Sequence, residues 1–223
     1  MTVKLFVQAL IKFLAGLILL PLLLFVPAGT WNWKEAWIFL IVLFVPMFLA
    51  GIVMMFKSPD LLEKRLNMKE KENDQKEVIA SSGCMFLASF ITAGLCYRKQ
   101  LMILPFWVCI IACVLFLASY AMFAEVLREN AWLSRTVEVQ EGQKVVDTGL
   151  YGIVRHPMYS ATLFLFLSMP LILRSLPAFV IMLGYLPIIQ KRMDNEEKVL
   201  EEGLEGYREY KQKVRYRVIP YIW

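Results

Sequence analysis

The sequence predicts an all-α integral membrane protein with about six transmembrane helices, the last two a short hairpin, and a cytosolic C-terminal helical tail. Composition is the first reason. Hydrophobic residues make up 59% of the 223 residues and charged residues 19%, against roughly 45–50% and about 25% in soluble domains. A soluble fold of this size could not bury so much apolar surface. The other two reasons are a series of long apolar runs and an unequal distribution of basic residues between them.

Four long apolar runs occupy residues 1–125, the predicted four-helix transmembrane region. They contain 22, 21, 20 and 24 residues, which matches the roughly 20 residues that a helix needs to cross the hydrocarbon core. The first run is too long for the core of a signal peptide, and no small-residue cleavage site follows it. We therefore expect it to be retained as a helix. The runs are Leu5–Val26, Ala36–Phe56, Val78–Tyr97 and Leu101–Ala124.

The last apolar sequence is divided in two. Met158–Leu173 and Leu176–Ile189 are 16 and 14 residues long, and Arg174 and Ser175 separate them. A single helix through both would place Arg174 in the middle of the membrane, at a cost of at least about 2.5 kcal/mol. A hairpin of two short helices would leave the arginine at the turn, and we predict the hairpin.

Basic residues are distributed unequally between the two predicted sides of the membrane. With six crossings, the side that holds both termini carries 19 Lys and Arg, whereas the opposite side carries 4. An excess of Lys and Arg marks cytoplasmic segments, so both termini are expected in the cytoplasm. The 19 come from the N-terminal residues and from 57–77, 125–156 and 190–223, and the 4 are Lys34, Arg98, Lys99 and Arg174.

Composition also argues against several kinds of partner. The 24 Lys and Arg are mixed with 19 Asp and Glu in short loops, so the net charge of +5 indicates contact with membrane lipids and not with nucleic acid. The four cysteines lie in apolar runs and the chain has one histidine, so no metal site is expected. No sequence feature points to an obligate protein partner.

The first polar segment, Val145–Ser160, has the features of a loop that contacts a ligand. Gly149 lets the backbone approach a neighbour closely. Pro157 suits the first position of a helix, so His156 and Tyr159 would project together from its start. Free backbone N–H groups at that point favour an anionic group. The alternative is a polar interfacial turn with His156 as the helix cap.

The second polar segment follows the last apolar run directly. Arg192 and Glu196 are four residues apart on the predicted helix and could form a surface ion pair. Glu196 and Glu197, at the mouth of a membrane cavity, could instead hold an ammonium group or ribose hydroxyls. These residues alone leave both interpretations open.

Together the two segments resemble the isoprenylcysteine carboxyl methyltransferase family, within the wider group that includes phospholipid N-methyltransferases. The resemblance covers residues 143–220. It rests on Gly-Leu-Tyr-Gly-Ile-Val-Arg-His-Pro-Met-Tyr, the hydrophobic hairpin, Arg-x-x-x-Glu-Glu and Tyr-Arg-Glu-Tyr-Lys. The ending Val-Arg-Tyr-Arg-Val-Ile-Pro-Tyr-Ile-Trp is similar to the bacterial members. The family resemblance as a whole implies a bacterial inner membrane, an active site on the cytoplasmic side, and a catalytic region spanning residues 126–223.

The resemblance implies S-adenosylmethionine as the cofactor, bound in a pocket that the C-terminal tail closes. The chain departs from the family pattern at Gln143, where the family often has a histidine upstream of the Arg-His-Pro triplet. Carried over by position, the cofactor contacts fall on Tyr151, Arg155, His156, Tyr159, Glu196 and Glu197.

The methyl acceptor decides which catalytic residues are needed. A carboxylate with a pKa near 3.5 is already ionised and needs only a positive group to hold it; Arg192 and Arg155 are the candidates. An amine acceptor would need a base, and His156 is the only candidate near neutral pH.

Four functions remain open from the sequence. The first hypothesis is a carboxyl methyltransferase that acts on a lipid-like, isoprenylcysteine-type acceptor entering from the bilayer. The second is a phospholipid amine N-methyltransferase. The third is an NADPH-dependent enzyme similar to sterol reductases, although the Arg-His-Pro loop offers few basic residues for the cofactor phosphates. The fourth is a membrane scaffold that binds no cofactor.

Overall fold

The computed structural model describes residues 3–66, 73–133 and 137–223. About 75% of the chain is helical, and no β-strand occurs in these three ranges. Three basic residues that we assign to the cytoplasmic side, Lys69, Lys71 and Arg135, lie outside the described residues.

The described part of the chain forms nine α-helices and one 3₁₀ turn, Gly149–Gly152. The helices are α1 Val3–Ala28, α2 Lys34–Lys57, α3 Pro59–Leu66, α4 Asn73–Lys99, α5 Phe106–Glu129, α6 Pro157–Ile172, α7 Leu176–Met182, α8 Tyr185–Gly203 and α9 Tyr207–Lys213.

The four predicted long helices are present. Each is long and apolar enough to cross a membrane, and each contains or closely overlaps one predicted run. Helix α6 is apolar but shorter, with 16 residues, so the count of six crossings stays a prediction. The four candidate spans are Leu5–Ala28, Lys34–Lys57, Glu77–Lys99 and Phe106–Glu129.

The second arm of the predicted hairpin is not one helix. The sequence predicts a helix through Leu176–Ile189, but α7 ends at Met182 and α8 begins at Tyr185. Pro187 explains the break, because in a continuous helix its ring would collide with the carbonyl group of Leu183. Proline is tolerated in the first turn of a new helix, where its missing N–H is not needed. The polar part of α8 then continues directly from its apolar part, as predicted.

The hairpin turn is bonded to the segment between α4 and α5. Arg174 has a positive φ of 58°, and its carbonyl group accepts the N–H of Leu104 at 2.8 Å. Its guanidinium donates to the carbonyl oxygen of Leu104 at 2.5 Å and to Glu35 Oε1 at 2.6 Å. The arginine is at the turn, as predicted, but it is partly buried and paired with α2.

Packing in the membrane region depends on aromatic side chains and one close approach. Phe39, Phe90 and Phe116 lie in contact at the centre of the main apolar cluster. Gly94 lets α4 approach α1, because a Cβ at this position would lie 2.6 Å from the carbonyl oxygen of Leu24. Small residues at such points let membrane helices pack closely. Helix α5 packs along α6, and α4 packs against α7 and α8.

The helices place polar contacts at two opposite ends. At the hairpin end, which comprises the α1–α2 and α4–α5 connections and the α6–α7 turn, Tyr97 Oη donates to the carbonyl oxygen of Asn32 at 2.7 Å. The tail end comprises the start of α4, the end of α5, the start of α6, the polar part of α8, and α9. There Lys191 Nζ lies 2.8 Å from Glu77 Oε2.

Candidate active site

A cavity opens at the tail end, between the end of α5, the segment 137–156 and helices α6, α8 and α9. Its empty space is about 840 Å³, including the part that opens to solvent. Polar side chains that are far apart in sequence meet on its wall. Six of the seven predicted site residues are among them: Tyr151, Arg155, His156, Tyr159, Arg192 and Glu196.

The loop before α6 is fixed to the end of α5. The Glu129 carboxylate accepts the N–H of Leu150, with N···O distances of 3.0 and 3.3 Å. Gly149 has a φ of 53°, and a Cβ there would lie 1.5 Å from Glu129 Oε1, so any other residue would strain the backbone and displace the carboxylate. Asn130 Nδ2 donates to the hydroxyl of Tyr151 at 3.0 Å. The close approach predicted at Gly149 is therefore to a carboxylate of the protein.

Arg155 anchors the tail of the chain to the start of α6. Its Nε donates to Glu197 Oε1 at 3.0 Å. Its Nη1 donates to the carbonyl oxygens of Val214 and Arg215 at 2.8 and 2.7 Å. Its backbone N–H donates to the carbonyl oxygen of Tyr216 at 2.9 Å. These bonds explain why Arg155 is buried, and its role in catalysis stays a prediction.

Glu197 lies in the interior behind the cavity wall. Its carboxylate is 2% exposed and accepts bonds from four cationic or potentially cationic side chains. Burial would raise the pKa of Glu197, but the hydrogen bonds around it outweigh burial and hold the pKa well below its usual range. The donors are Arg155 and His156 to Oε1, both at 3.0 Å, and Arg217 and Lys211 to Oε2, both at 2.9 Å.

His156 uses one ring nitrogen within the protein. It occupies the N-cap position of α6, as the alternative interpretation expected, but its side chain makes no capping bond. Nε2 lies 3.0 Å from Glu197 Oε1, and because that carboxylate is ionised, Nε2 carries the hydrogen. Among the described residues no group bonds Nδ1, so this nitrogen remains for a ligand.

Tyr159 joins the acidic and basic side chains of α8. Its hydroxyl donates to Glu196 Oε2 at 2.6 Å and accepts from Arg192 Nε at 2.8 Å. The spacing of four residues therefore places Arg192 and Glu196 on the same tyrosine. The rings of His156 and Tyr159 are 5.5 Å apart, which confirms that they project together from the start of α6.

The tail after α9 completes the site from behind. Ser160 Oγ donates to the carbonyl oxygen of Val218 at 2.6 Å. The backbone N–H of His156 donates to the carbonyl oxygen of Arg217 at 2.8 Å. The Arg217 guanidinium also pairs with Asp194 at 2.7 Å. The tail is thus bonded to both α6 and α8.

The tyrosines of α9 belong to the Tyr-Arg-Glu-Tyr-Lys motif of the sequence analysis, but they were not among the predicted site residues. Tyr207 and Tyr210 both lie on the cavity wall, and the Tyr210 hydroxyl donates to the carbonyl oxygen of Tyr151 at 2.8 Å. Their spacing of three residues, the same as that of His156 and Tyr159, was the available signal. Gln143 also lines the cavity. Within the described ranges no group of three His, Cys, Asp or Glu could hold a metal ion.

Comparison with known families identifies the part of the chain that contains this cavity. Residues 104–205 match the phospholipid methyltransferase family. This range is a little under half of the chain, and it contains all seven predicted site residues. The predicted relation to this wider group is therefore confirmed, and the protein is a membrane protein similar to phospholipid methyltransferases.

A curated relative belongs to another reaction class. The delta(14)-sterol reductase TM7SF2 of Mus musculus is 28% identical over 91 residues, which are 40% of this chain. The alignment covers 22% of the length of the reductase. The chain thus matches less than a quarter of this relative.

Proposed function

We propose that the protein is an S-adenosylmethionine-dependent integral membrane methyltransferase that methylates a carboxylate on a lipid-like, isoprenylcysteine-type acceptor. The observation that carries the proposal is the cavity wall, where the Tyr159 hydroxyl of α6 bonds both Glu196 and Arg192 of α8 beside His156. The match to phospholipid methyltransferases over residues 104–205 supports methyl transfer as the reaction.

The charges at the cavity fit a cofactor that carries both signs of charge. Both signs of charge are present on the wall, with three Lys and Arg side chains and two glutamates among its described residues. S-adenosylmethionine carries a sulfonium, an ammonium and a carboxylate, so a wall of mixed charge suits it. The bases are Lys144, Arg155 and Arg192, and the acids on the wall are Glu138 and Glu196.

Each wall residue has a proposed role toward the cofactor. When bound, S-adenosylmethionine supplies a methyl group that is activated by its sulfonium. Glu196, oriented by the Tyr159 hydroxyl, would hold the ammonium group or the ribose hydroxyls. His156 would bond the cofactor through Nδ1, and Tyr151 would contact it from the loop. Arg155 and Glu197 would keep His156 and the tail in position from behind.

Arg192 is the proposed holder of the acceptor carboxylate. It lies on the cavity wall with its Nε fixed by Tyr159 at 2.8 Å, so the orientation of its guanidinium is set. A carboxylate is ionised at neutral pH and needs positioning but no base. The acceptor would reach the cavity sideways from the bilayer, so that its chain remains in lipid.

A phospholipid amine is the second candidate acceptor. The specific observation in its favour is the pair of His156 and Glu197, which fixes the ring so that Nδ1 can accept a proton. An ammonium acceptor must lose a proton before methylation, and a histidine oriented by a carboxylate can act as that base.

A reductase that uses NADPH is a third candidate because of the similarity to the sterol reductase. NADPH carries a pyrophosphate and a further phosphate. The described cavity wall has three Lys and Arg side chains, and one of them, Arg155, already bonds Glu197 and two backbone carbonyl groups. Few basic groups thus remain for the phosphates, so the charges of the wall favour S-adenosylmethionine.

The proposed orientation places the tail end and the cavity in the cytoplasm, with six crossings, in a bacterial inner membrane. Helix α6 and the pair α7–α8 would form the last two crossings. The support is the distribution of basic residues, 19 against 4, and the grouping of the corresponding segments at two opposite ends of the structure.

Calorimetry on the detergent-solubilised protein tests the cofactor. We expect S-adenosylhomocysteine to bind and NADPH not to bind, and the reverse result would replace the methyltransferase with a reductase. Binding of neither would favour a scaffold. Transfer of labelled methyl groups from S-adenosylmethionine then tests the acceptor, with N-acetyl-S-farnesylcysteine compared with vesicles of phosphatidylethanolamine. Methylation of the vesicles alone would favour the amine acceptor.

A further inference from the structure

The hydroxyl of Tyr207 is a buried polar group on the cavity wall. The residue is 4% exposed, and within the described ranges its Oη has no hydrogen-bond partner. Tyr210, one turn further along α9, donates instead to the carbonyl oxygen of Tyr151. Buried hydroxyl groups in proteins are nearly always bonded, so an unpaired one in a residue of the cavity wall is a candidate to bond a ligand.

The surroundings of Tyr207 restrict what this ligand group can be. Val145, Leu200 and Leu204 pack against the cluster that contains Tyr207, and all three also line the cavity. Burial and the nearby charges of Glu197 and Glu196 raise the pKa of the phenol, so it is a hydrogen-bond donor at neutral pH. This part of the cavity wall therefore combines apolar surface with a hydrogen-bond donor.

We propose that Tyr207 donates a hydrogen bond to a ring nitrogen of the adenine base of the cofactor, while the apolar side chains beside it pack on the base. The proposal rests on the proposed function, because it assumes an adenosyl cofactor. The base is the flat, uncharged part of S-adenosylmethionine and carries ring nitrogens that only accept. The charged amino-acid part instead suits the polar group of Glu196, Tyr159 and Arg192 on the same cavity wall.

Two matched substitutions on α9 test this role. Tyr207→Phe removes a hydroxyl without a partner in the described protein, and Tyr210→Phe removes one that is bonded. We expect Tyr207→Phe to weaken binding of S-adenosylhomocysteine about three- to tenfold, without lowering the melting temperature of the ligand-free protein. Tyr210→Phe should lower that melting temperature. Unchanged affinity in Tyr207→Phe, or a fall in its melting temperature equal to that of Tyr210→Phe, would overturn the proposal.

Cofactor analogues identify the acceptor atom. They are forms of S-adenosylhomocysteine in which one ring nitrogen of adenine at a time is replaced by CH. We expect one analogue to bind the wild-type protein more weakly and to show no further loss with Tyr207→Phe. If Tyr207→Phe lowers the affinity for every analogue by the same factor, the hydroxyl does not bond the base. If the wild-type protein does not bind S-adenosylhomocysteine at all, the proposed function fails first, and this inference with it.

Discussion

Each end of the helical bundle contains an arginine paired with a glutamate from another helix, but the two pairs differ in their surroundings. At the hairpin end, Arg174 bonds Glu35 and the carbonyl oxygen of Leu104. At the tail end, Arg155 bonds a glutamate that three other side chains also contact. The first pair joins a turn to its neighbours. The second joins three segments of the chain beside a cavity.

The difference shows how stability and binding are divided between the ends. The hairpin end is held by contacts to a single turn, and no predicted site residue lies there. At the tail end, the residues before α6, helix α9 and the tail all bond the carboxylate of Glu197. The position of the cavity residues therefore depends on segments that are far apart in sequence. Substitutions at the hairpin end should change stability alone, whereas those at the tail end should change stability and cofactor binding together.

The largest expected effect is the all-or-none labelling of the two ends from opposite sides. In a variant without Cys84, we place a single exposed cysteine by Glu205→Cys at the tail end or by Lys99→Cys at the hairpin end. An impermeant maleimide should label the first only from the cytoplasmic side and the second only from the other side. Labelling of both from the same side would contradict the six-crossing topology.

Glu197→Gln is expected to be the most damaging single substitution at the tail end. It leaves Arg155 and Arg217 without their buried carboxylate, and breaking a buried charge pair costs about 3–5 kcal/mol. The melting temperature and the affinity for S-adenosylhomocysteine should both fall. Glu202→Gln is the matched control, because Glu202 is exposed on the same helix and should change neither. Equal effects of the two variants would mean that Glu197 belongs to a solvated face.

Glu35→Gln tests the pair at the hairpin end. The carboxylate of Glu35 accepts one bond from the Arg174 guanidinium, and a hydrogen bond to a charged group contributes about 1.5–3 kcal/mol. We expect a lower melting temperature with unchanged affinity for S-adenosylhomocysteine. A loss of affinity as large as that of Glu197→Gln would show that the two ends are coupled. Glu125→Gln, which removes an exposed partner of Arg128, should leave both measurements unchanged.

His156→Ala distinguishes a histidine that binds the cofactor from one that acts as a base and from one that has no role in the site. If Nδ1 bonds the cofactor, the affinity should fall at least tenfold, which corresponds to about 1.4 kcal/mol. The fold should remain, because Pro157 still begins α6. If His156 is the base for an amine acceptor, affinity should persist and turnover should collapse, most strongly at low pH. Unchanged affinity together with unchanged turnover would remove His156 from the site.

The smallest expected effect is a pH dependence of the difference in melting temperature between the wild-type protein and Glu197→Gln. The pKa of Glu197 is lowered in the folded state, so the stability it contributes is fully present well above its unfolded pKa of about 4.3. That contribution decreases by at most about 1.4 kcal/mol per pH unit as the pH falls below this value. The gap in melting temperature between wild type and Glu197→Gln should therefore be constant from pH 7 to about pH 5 and narrow below it. A constant gap down to pH 3.5 would contradict the lowered pKa.

Most of the membrane region could be predicted from the sequence, because its signals are local. A helix in lipid satisfies its own backbone hydrogen bonds and needs only a long apolar run. The four long helices were found on this basis. The break at Leu183 and Gly184 had a local signal, since Pro187 disfavours a continuous helix. Proline alone does not decide it, because α1, α2 and α6 continue through Pro21, Pro46 and Pro170.

The candidate site could be predicted only in part. Clusters of unusual polar residues indicated which two segments matter, and six residues from them meet on the cavity wall. Tyr207 was noted as part of a motif but was not predicted as a site residue, because nothing in its neighbourhood in the sequence shows that its hydroxyl lacks a partner. That property depends on the packing of α9 against α8 and the loop before α6.

The sequence by itself determined the membrane class, the four long helices and the two segments that carry chemistry. Only the tertiary structure decided which member of each segment reaches the cavity. Glu196 and Glu197 are equivalent as a sequence pair, but neighbouring side chains on a helix point about 100° apart. One therefore lies on the wall, and the other is buried among four partner side chains from the residues before α6, from α9 and from the tail. Contacts between distant segments set the rotation of α8, and no local pattern records them.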